Sequence, residues 1–272
     1  MSEDILRRNN VRVIGSGTQP MLFAHGFGCD QHMWRFMTPA FEPDYRVVLF
    51  DYVGSGKSDL KAYDPRRYGS LAGYAQDVLD VVRALDLRDV IVVAHSVSAM
   101  IAALAARKEP DRFAHLIMLG PSPYYINEGD YVGGFERADI EGLLETMDKN
   151  YIGWANYLAP VVMNDPKHPE LTTELVGSFC STDPKIARRF AEVTFLSDNR
   201  ADLPQIPTPC LVVQVTNDLI APVSVGEYVQ GRLPSAELRL LEASGHCPHM
   251  THPRETIALI KEYLASDVAR AA

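Results

Sequence analysis

The chain has 272 residues, 47% apolar and 22% charged, with a net charge of −9. These proportions describe an ordinary globular protein of a size that one α/β fold can fill, and the acidic balance disfavours nucleic acid and anionic membrane as partners, because phosphate binding needs clustered Lys and Arg. The first ten residues hold no apolar run, and the longest apolar stretch, 90–106, is broken by His95, Ser96 and Ser98, so neither a secretory signal nor a membrane span is read and a cytoplasmic location is expected.

Strands are expected near 11–14 and 21–24, the second leading into His25-Gly26-Phe27-Gly28. A third is expected near 45–50, followed by a glycine-rich turn containing Gly56-Lys57-Ser58. That turn is not a phosphate-binding loop, since the full pattern requires glycine where Asp51 stands. A helix over 71–86 precedes a strand over 89–94, and a small-residue helix over 97–107 follows it. Ser96 falls between the last two. A serine on such a strand-to-helix turn is the nucleophile elbow of serine hydrolases, usually flanked by glycines. Here Ala94 and Ser98 replace them, small enough for strand and helix to approach but leaving the motif degenerate. A serine simply buried between strand and helix is the plain alternative.

Other segments strengthen the elbow reading. The His25-Gly26 turn after the second strand suits the partner loop of an oxyanion hole, assigned to the backbone N–H groups of Phe27 and Val97. After a strand at 113–119, residues 124–199 show helical periodicity and no convincing strand; Ile140, Leu143, Leu144 and Met147 fit one helical face. We expect about four short helices there, forming a cap over the serine, inserted in a core of residues 1–123 and 200–272. The inward candidates of the cap are Phe135, Leu143, Trp154, Tyr157, Val161, Phe179, Phe190 and Phe195, of which Phe135, Leu143, Trp154, Tyr157, Val161 and Phe195 are the expected pocket residues, implying a small apolar ligand. Strands at 209–215 and 236–241 then deliver Asp218 and His246, so the triad runs Ser96, Asp218, His246 in the order this architecture requires. Helices over 222–232 and 253–266 complete an alternating α/β chain with a mostly parallel sheet. Asp198 and Asp202 are the alternative acids, although neither ends a strand. His95 occupies the variable position of the elbow and is expected to point away. The four cysteines show neither C-x-x-C nor metal spacing, and no metal or cofactor is expected.

Longer segments carry a family resemblance. Residues 23–31, 50–56, 74–80, 151–154, 179–184 and 245–250 make the chain resemble the RsbQ-type bacterial stress-response regulators, α/β-hydrolases related to plant karrikin and strigolactone receptors. The resemblance implies the same triad and oxyanion hole. It also places Gly133, Gly134, Phe135, Trp154 and Phe195 at cap positions lining the pocket. It further implies a role upstream of a phosphatase of the PAS–PP2C type in general stress signalling, through a small hydrophobic molecule. A plain carboxylesterase or C–C bond hydrolase keeps the same triad and remains open, whereas a dehalogenase or epoxide hydrolase would need Asp in place of Ser96.

Overall fold

The computed structural model describes residues 2–271, with side chains described through Ser266. In chain order it contains α1 (Ser2–Arg8), β1 (Arg12–Ile14), β2 (Pro20–Ala24), β3 (Arg46–Leu49), α2 (Leu71–Ala84), β4 (Val90–His95), α3 (Val97–Lys108) and β5 (Phe113–Leu119). There follow α4 (Arg137–Lys149), α5 (Tyr151–Met163), α6 (Pro169–Ser181), α7 (Pro184–Leu196), β6 (Cys210–Asn217), α8 (Val223–Arg232), β7 (Ala236–Ser244), α9 (Pro248–Thr251) and α10 (Pro253–Ala271). The expected strands and the four expected helices outside 124–199 are present; α1, with no buried residue, was not anticipated.

The seven strands form one sheet in the order β1-β3-β2-β4-β5-β6-β7. Only β1 runs antiparallel to its neighbour; the other pairs are parallel. The central strand β4, Val-Ile-Val-Val-Ala-His, is buried along its whole length. A parallel strand covered on both faces reads as a continuous apolar run, as this one does. Val90, Val92 and Ala94 face one core, with Leu79 and Val82 of α2 and Ala102 of α3. Ile91 and Val93 face the other, with Ile117 and with Ile260 and Leu264 of α10. Leu71, Tyr74, Ala75, Val78, Leu79 and Val82 recur at helical spacing on the buried side of α2.

Strand order fixes where a site can form. The chain leaves β2 towards β3 on one side, then returns to lay β4 on the other side of β2. The loops after β2 and β4 therefore diverge, opening a crevice at the carboxyl ends of the strands. Helices α4 to α7 fall between β5 and β6 in sequence. Ile140, Trp154, Leu171 and Phe195 from them join the same buried cluster as Phe23 and Ile117 of the sheet.

Candidate active site

Ser96 stands at that crevice, immediately after β4, with φ 57° and ψ −127°. A non-glycine residue rarely takes positive φ, so the surrounding contacts must enforce it. One is a hydrogen bond from the Ser96 N–H to the Leu119 carbonyl, 2.8 Å. Ala94 and Ser98 are both fully buried, so their small size is what the close approach of β4 and α3 demands.

Ser98 does more than stay small. Its hydroxyl donates to the carbonyl of His25, so the Tyr52 hydroxyl, 2.9 Å away, must be the donor to Ser98. His25 accepts at Nε2 from the Tyr52 N–H, 3.3 Å, leaving Nδ1–H to donate to the Gly26 carbonyl, 2.9 Å. The loop after β2 is thereby tied to the first turn of α3. Phe27 lies on that loop, before Gly28 with φ 67°. Val97 opens α3, where the first N–H groups lack intrahelical partners.

His246 connects the elbow to β6. Its Nε2 lies 2.8 Å from Ser96 Oγ and its Nδ1 lies 2.7 Å from Asp218 Oδ2. The second oxygen of Asp218 accepts from the N–H groups of Ile220, 2.8 Å, and Ala221, 3.1 Å. Burial works to raise the Asp218 carboxyl, but His246 and the two backbone donors outweigh it and hold it below the usual range. The loop carrying His246 is gripped from three sides. Gly245 N–H donates to Asn217 O, 3.0 Å, and His246 N–H donates to Val162 O at the end of α5, 2.7 Å. His95 Nε2 donates to the His246 carbonyl, 2.8 Å. His95, expected to point away, is instead a support of this loop, held neutral by burial with its pKa pushed down to about 3.

Around Ser96 lies a narrow cavity of about 30 Å³, lined by Phe27, Tyr125, Leu158, Val162, Phe179 and Phe195 among others. Of the six residues expected in the pocket, only Phe195 lines it; of the two other inward candidates, Phe179 lines it and Phe190 does not. Phe135, Leu143, Tyr157 and Val161 line a neighbouring cavity between α4 and α5, which shares Leu158, Phe195 and Ile220 with the first. Tyr157 is exposed there. Trp154 lines neither; it is fully buried behind the cavity, ring to ring with Phe27, Tyr151 and Phe179. Helical periodicity identified apolar faces but not which side of each helix met the serine. Tyr125 was missed altogether: its hydroxyl lies 3.5 Å from Ser96 Oγ, and burial raises its pKa to about 12, so it stays a donor. Its place just after β5 was the available signal.

The competing candidates are placed elsewhere. Asp198 pairs with Arg200, and Asp202 pairs with Arg107. Two histidines away from the carboxyl end of any strand are also placed elsewhere: His168 pairs with Asp165 at the surface, and His115 meets the Tyr263 hydroxyl. In the Gly56-Lys57-Ser58 turn, the Asp51 carboxylate accepts from the N–H groups of Lys57 and Gln31, both at 2.9 Å. A side-chain carboxylate thus fills the position a phosphate would need.

A family profile described as the alpha/beta hydrolase family matches residues 21–259. A probable esterase of Oryza sativa subsp. japonica is 38% identical over 263 residues, covering 96% of this chain and 97% of that protein. A karrikin insensitive 2 receptor of Petunia hybrida is 36% identical over 262 residues, with coverage of 96% and 97%. Among solved structures, a hydrolase from Oleispira antarctica is 49% identical with a TM-score of 0.95, covering 97% of each chain.

Proposed function

Because the chain belongs to the alpha/beta hydrolase family, we propose that it cleaves a small hydrophobic ester or lactone with Ser96 as nucleophile, His246 as base and acid, and Asp218 as the group orienting His246. The observation that carries this reading is the unbroken chain Asp218–His246–Ser96, ending on a strained elbow at an apolar cavity. Ser96 Oγ attacks the acyl carbon as its proton passes to His246 Nε2, while Asp218 stabilises the imidazolium. The N–H groups of Phe27 and Val97 receive the developing oxyanion, a charge they meet only in the transition state. As the tetrahedral species collapses, His246 returns the proton to the leaving alkoxide oxygen. Water then attacks the acyl-serine, deprotonated by the same His246, and regenerates Ser96. Residues 124–199 serve as a helical cap set into a core of residues 1–123 and 200–272. Four unpaired cysteines suit a reducing, cytoplasmic setting.

The test is Ser96→Ala. It should abolish p-nitrophenyl acetate turnover and labelling by a fluorophosphonate. Undiminished labelling of the variant would remove Ser96 from the role.

A second reading, that the enzyme also reports its ligand to a partner, draws on one specific contact. The N–H of His246 is held by the Val162 carbonyl of α5, so a shift of the cap changes the catalytic loop and the converse. Proteins named as receptors stand among the relatives. A phosphatase of the PAS–PP2C type as that partner rests on the resemblance to RsbQ-type regulators. A stress-reporter assay of Ser96→Ala cells beside phosphatase binding tests it: full reporter activity without hydrolysis rules out coupling between the two, whereas fast turnover of ordinary esters with no phosphatase binding favours a plain carboxylesterase or C–C bond hydrolase.

A further inference from the structure

Beside the catalytic loop lies a set of buried side chains that take no part in the proposed proton relay, two of which, His95 and Cys247, border the Ser96 cavity. His95, Cys247 and His249 are 2%, 0% and 0% exposed. One nitrogen of each imidazole and the Cys247 sulfur lie within 4.8 Å of one another. The two imidazole rings stand 4.4 Å apart, centroid to centroid. Burial holds both histidines neutral. His95 has its Nε2–H committed to the His246 carbonyl, so its Nδ1 is a bare lone pair, and that atom has no partner among the described residues. Neither nitrogen of His249 has one either. Buried polar atoms without partners are destabilising, and one nitrogen of each imidazole here lies beside a thiol. A histidine that donates one N–H to a backbone carbonyl and leaves the other nitrogen bare has the arrangement of metal-ligating histidines.

We propose that His95, Cys247 and His249 form a binding site for a soft monovalent cation, Cu+, in three-coordinate N₂S geometry. Two arguments select the ion. Thiolate and imidazole donors without carboxylate suit soft d¹⁰ ions over Mg²⁺ or Ca²⁺. Charge then decides: Cu+ with one thiolate is neutral, whereas Zn²⁺ with the same ligands leaves a net positive charge among side chains that are almost wholly buried, which burial penalises. Arg35, a cation whose charge reaches His249, is paired with Glu174 at 2.7 and 2.6 Å. Binding exchanges one proton for one cation: the Cys247 S–H bond breaks, a Cu–S bond forms, and the proton leaves to solvent. No electron is transferred. The spacing of these residues in sequence gives no metal motif, because His95 lies on the elbow and the other two beyond β7.

The experiment titrates the full chain anaerobically with Cu+ against bathocuproine disulfonate, in a Cys180→Ser background that removes the exposed thiol. One equivalent should resist the competitor, and copper K-edge absorption should show one sulfur and two nitrogen neighbours. Cys247→Ala and His249→Gln, each checked for folding by its thermal melt, should each lower retention at least ten-fold, while Cys29→Ser retains it. Failure of the wild-type pocket to hold copper against the chelator would overturn the proposal. So would sulfur-only coordination, or retention unchanged in both variants; the first two readouts need no variant to fold.

Discussion

The Ser98 hydroxyl is bonded to the carbonyl of His25. This joins the helix behind the nucleophile to the loop that offers the Phe27 N–H. Glycine, the usual occupant of the elbow position, cannot make this tie. In this chain the relative placement of the two proposed oxyanion donors therefore depends on a side chain as well as on backbone geometry.

Ser98→Ala should consequently lower kcat more than it raises KM, by about ten-fold, because the oxyanion forms only in the transition state. It also strips the Tyr52 hydroxyl of its acceptor in a buried place, which should cost about 1–3 kcal/mol in a urea melt. Steady-state kinetics on p-nitrophenyl acetate read the first effect. Wild-type kcat in a destabilised variant would mean that the tie holds the fold and not the hole.

Gly245 has φ 90°, and a Cβ on it would lie 2.0 Å from the Met163 carbonyl oxygen. Gly245→Ala should push the His246 loop away from α5 and break the His246 N–H to Val162 O bond. Turnover should fall at least ten-fold, with a strain penalty of about 1–3 kcal/mol. Retained turnover would show that the loop tolerates displacement from α5.

Phe195 lines both the Ser96 cavity and its neighbour. Phe195→Ala should merge them and shift preference from acetyl towards hexanoyl and longer esters, by about 1–3 kcal/mol in relative kcat/KM. A chain-length profile identical to wild type would place the acyl chain elsewhere. Trp154→Phe, changing a residue behind the cavity, should leave the profile nearly unchanged and act on stability instead.

Buried histidines set the acid limit. Burial lowers the pKa of His25, His95 and His249. Lowered folded values mean that the unfolded chain binds protons first. Stability is therefore complete above about 6.5 and drains as pH falls from there towards the folded values, by up to about 4 kcal/mol per pH unit for three protons. Asp218, also lowered, adds a further loss only below about 4, the usual carboxylate range. Urea unfolding between pH 7.5 and 4.5 measures this. A flat profile would contradict neutral burial of the three rings.

Local chemistry made the frame legible before any coordinates. Strands buried on both faces are continuous apolar runs, so β4 and β6 could be read directly. Helix α2 declares itself by its spacing. Ser96, Asp218 and His246 each follow a strand, and chain order then relates them. What the sequence could not contain was orientation across the chain. Trp154, Tyr157 and Phe195 look alike as aromatic residues of helical segments, yet one is buried behind the cavity, one is exposed and one faces Ser96. That choice belongs to helix rotation, which is set by the packing of α4 to α7 on each other and on the sheet. Likewise His95 could be assigned no task from its neighbours in sequence. Its partners, the His246 carbonyl and the ring of His249, come from beyond β7 and meet it only because parallel strands bring their carboxyl ends to one edge.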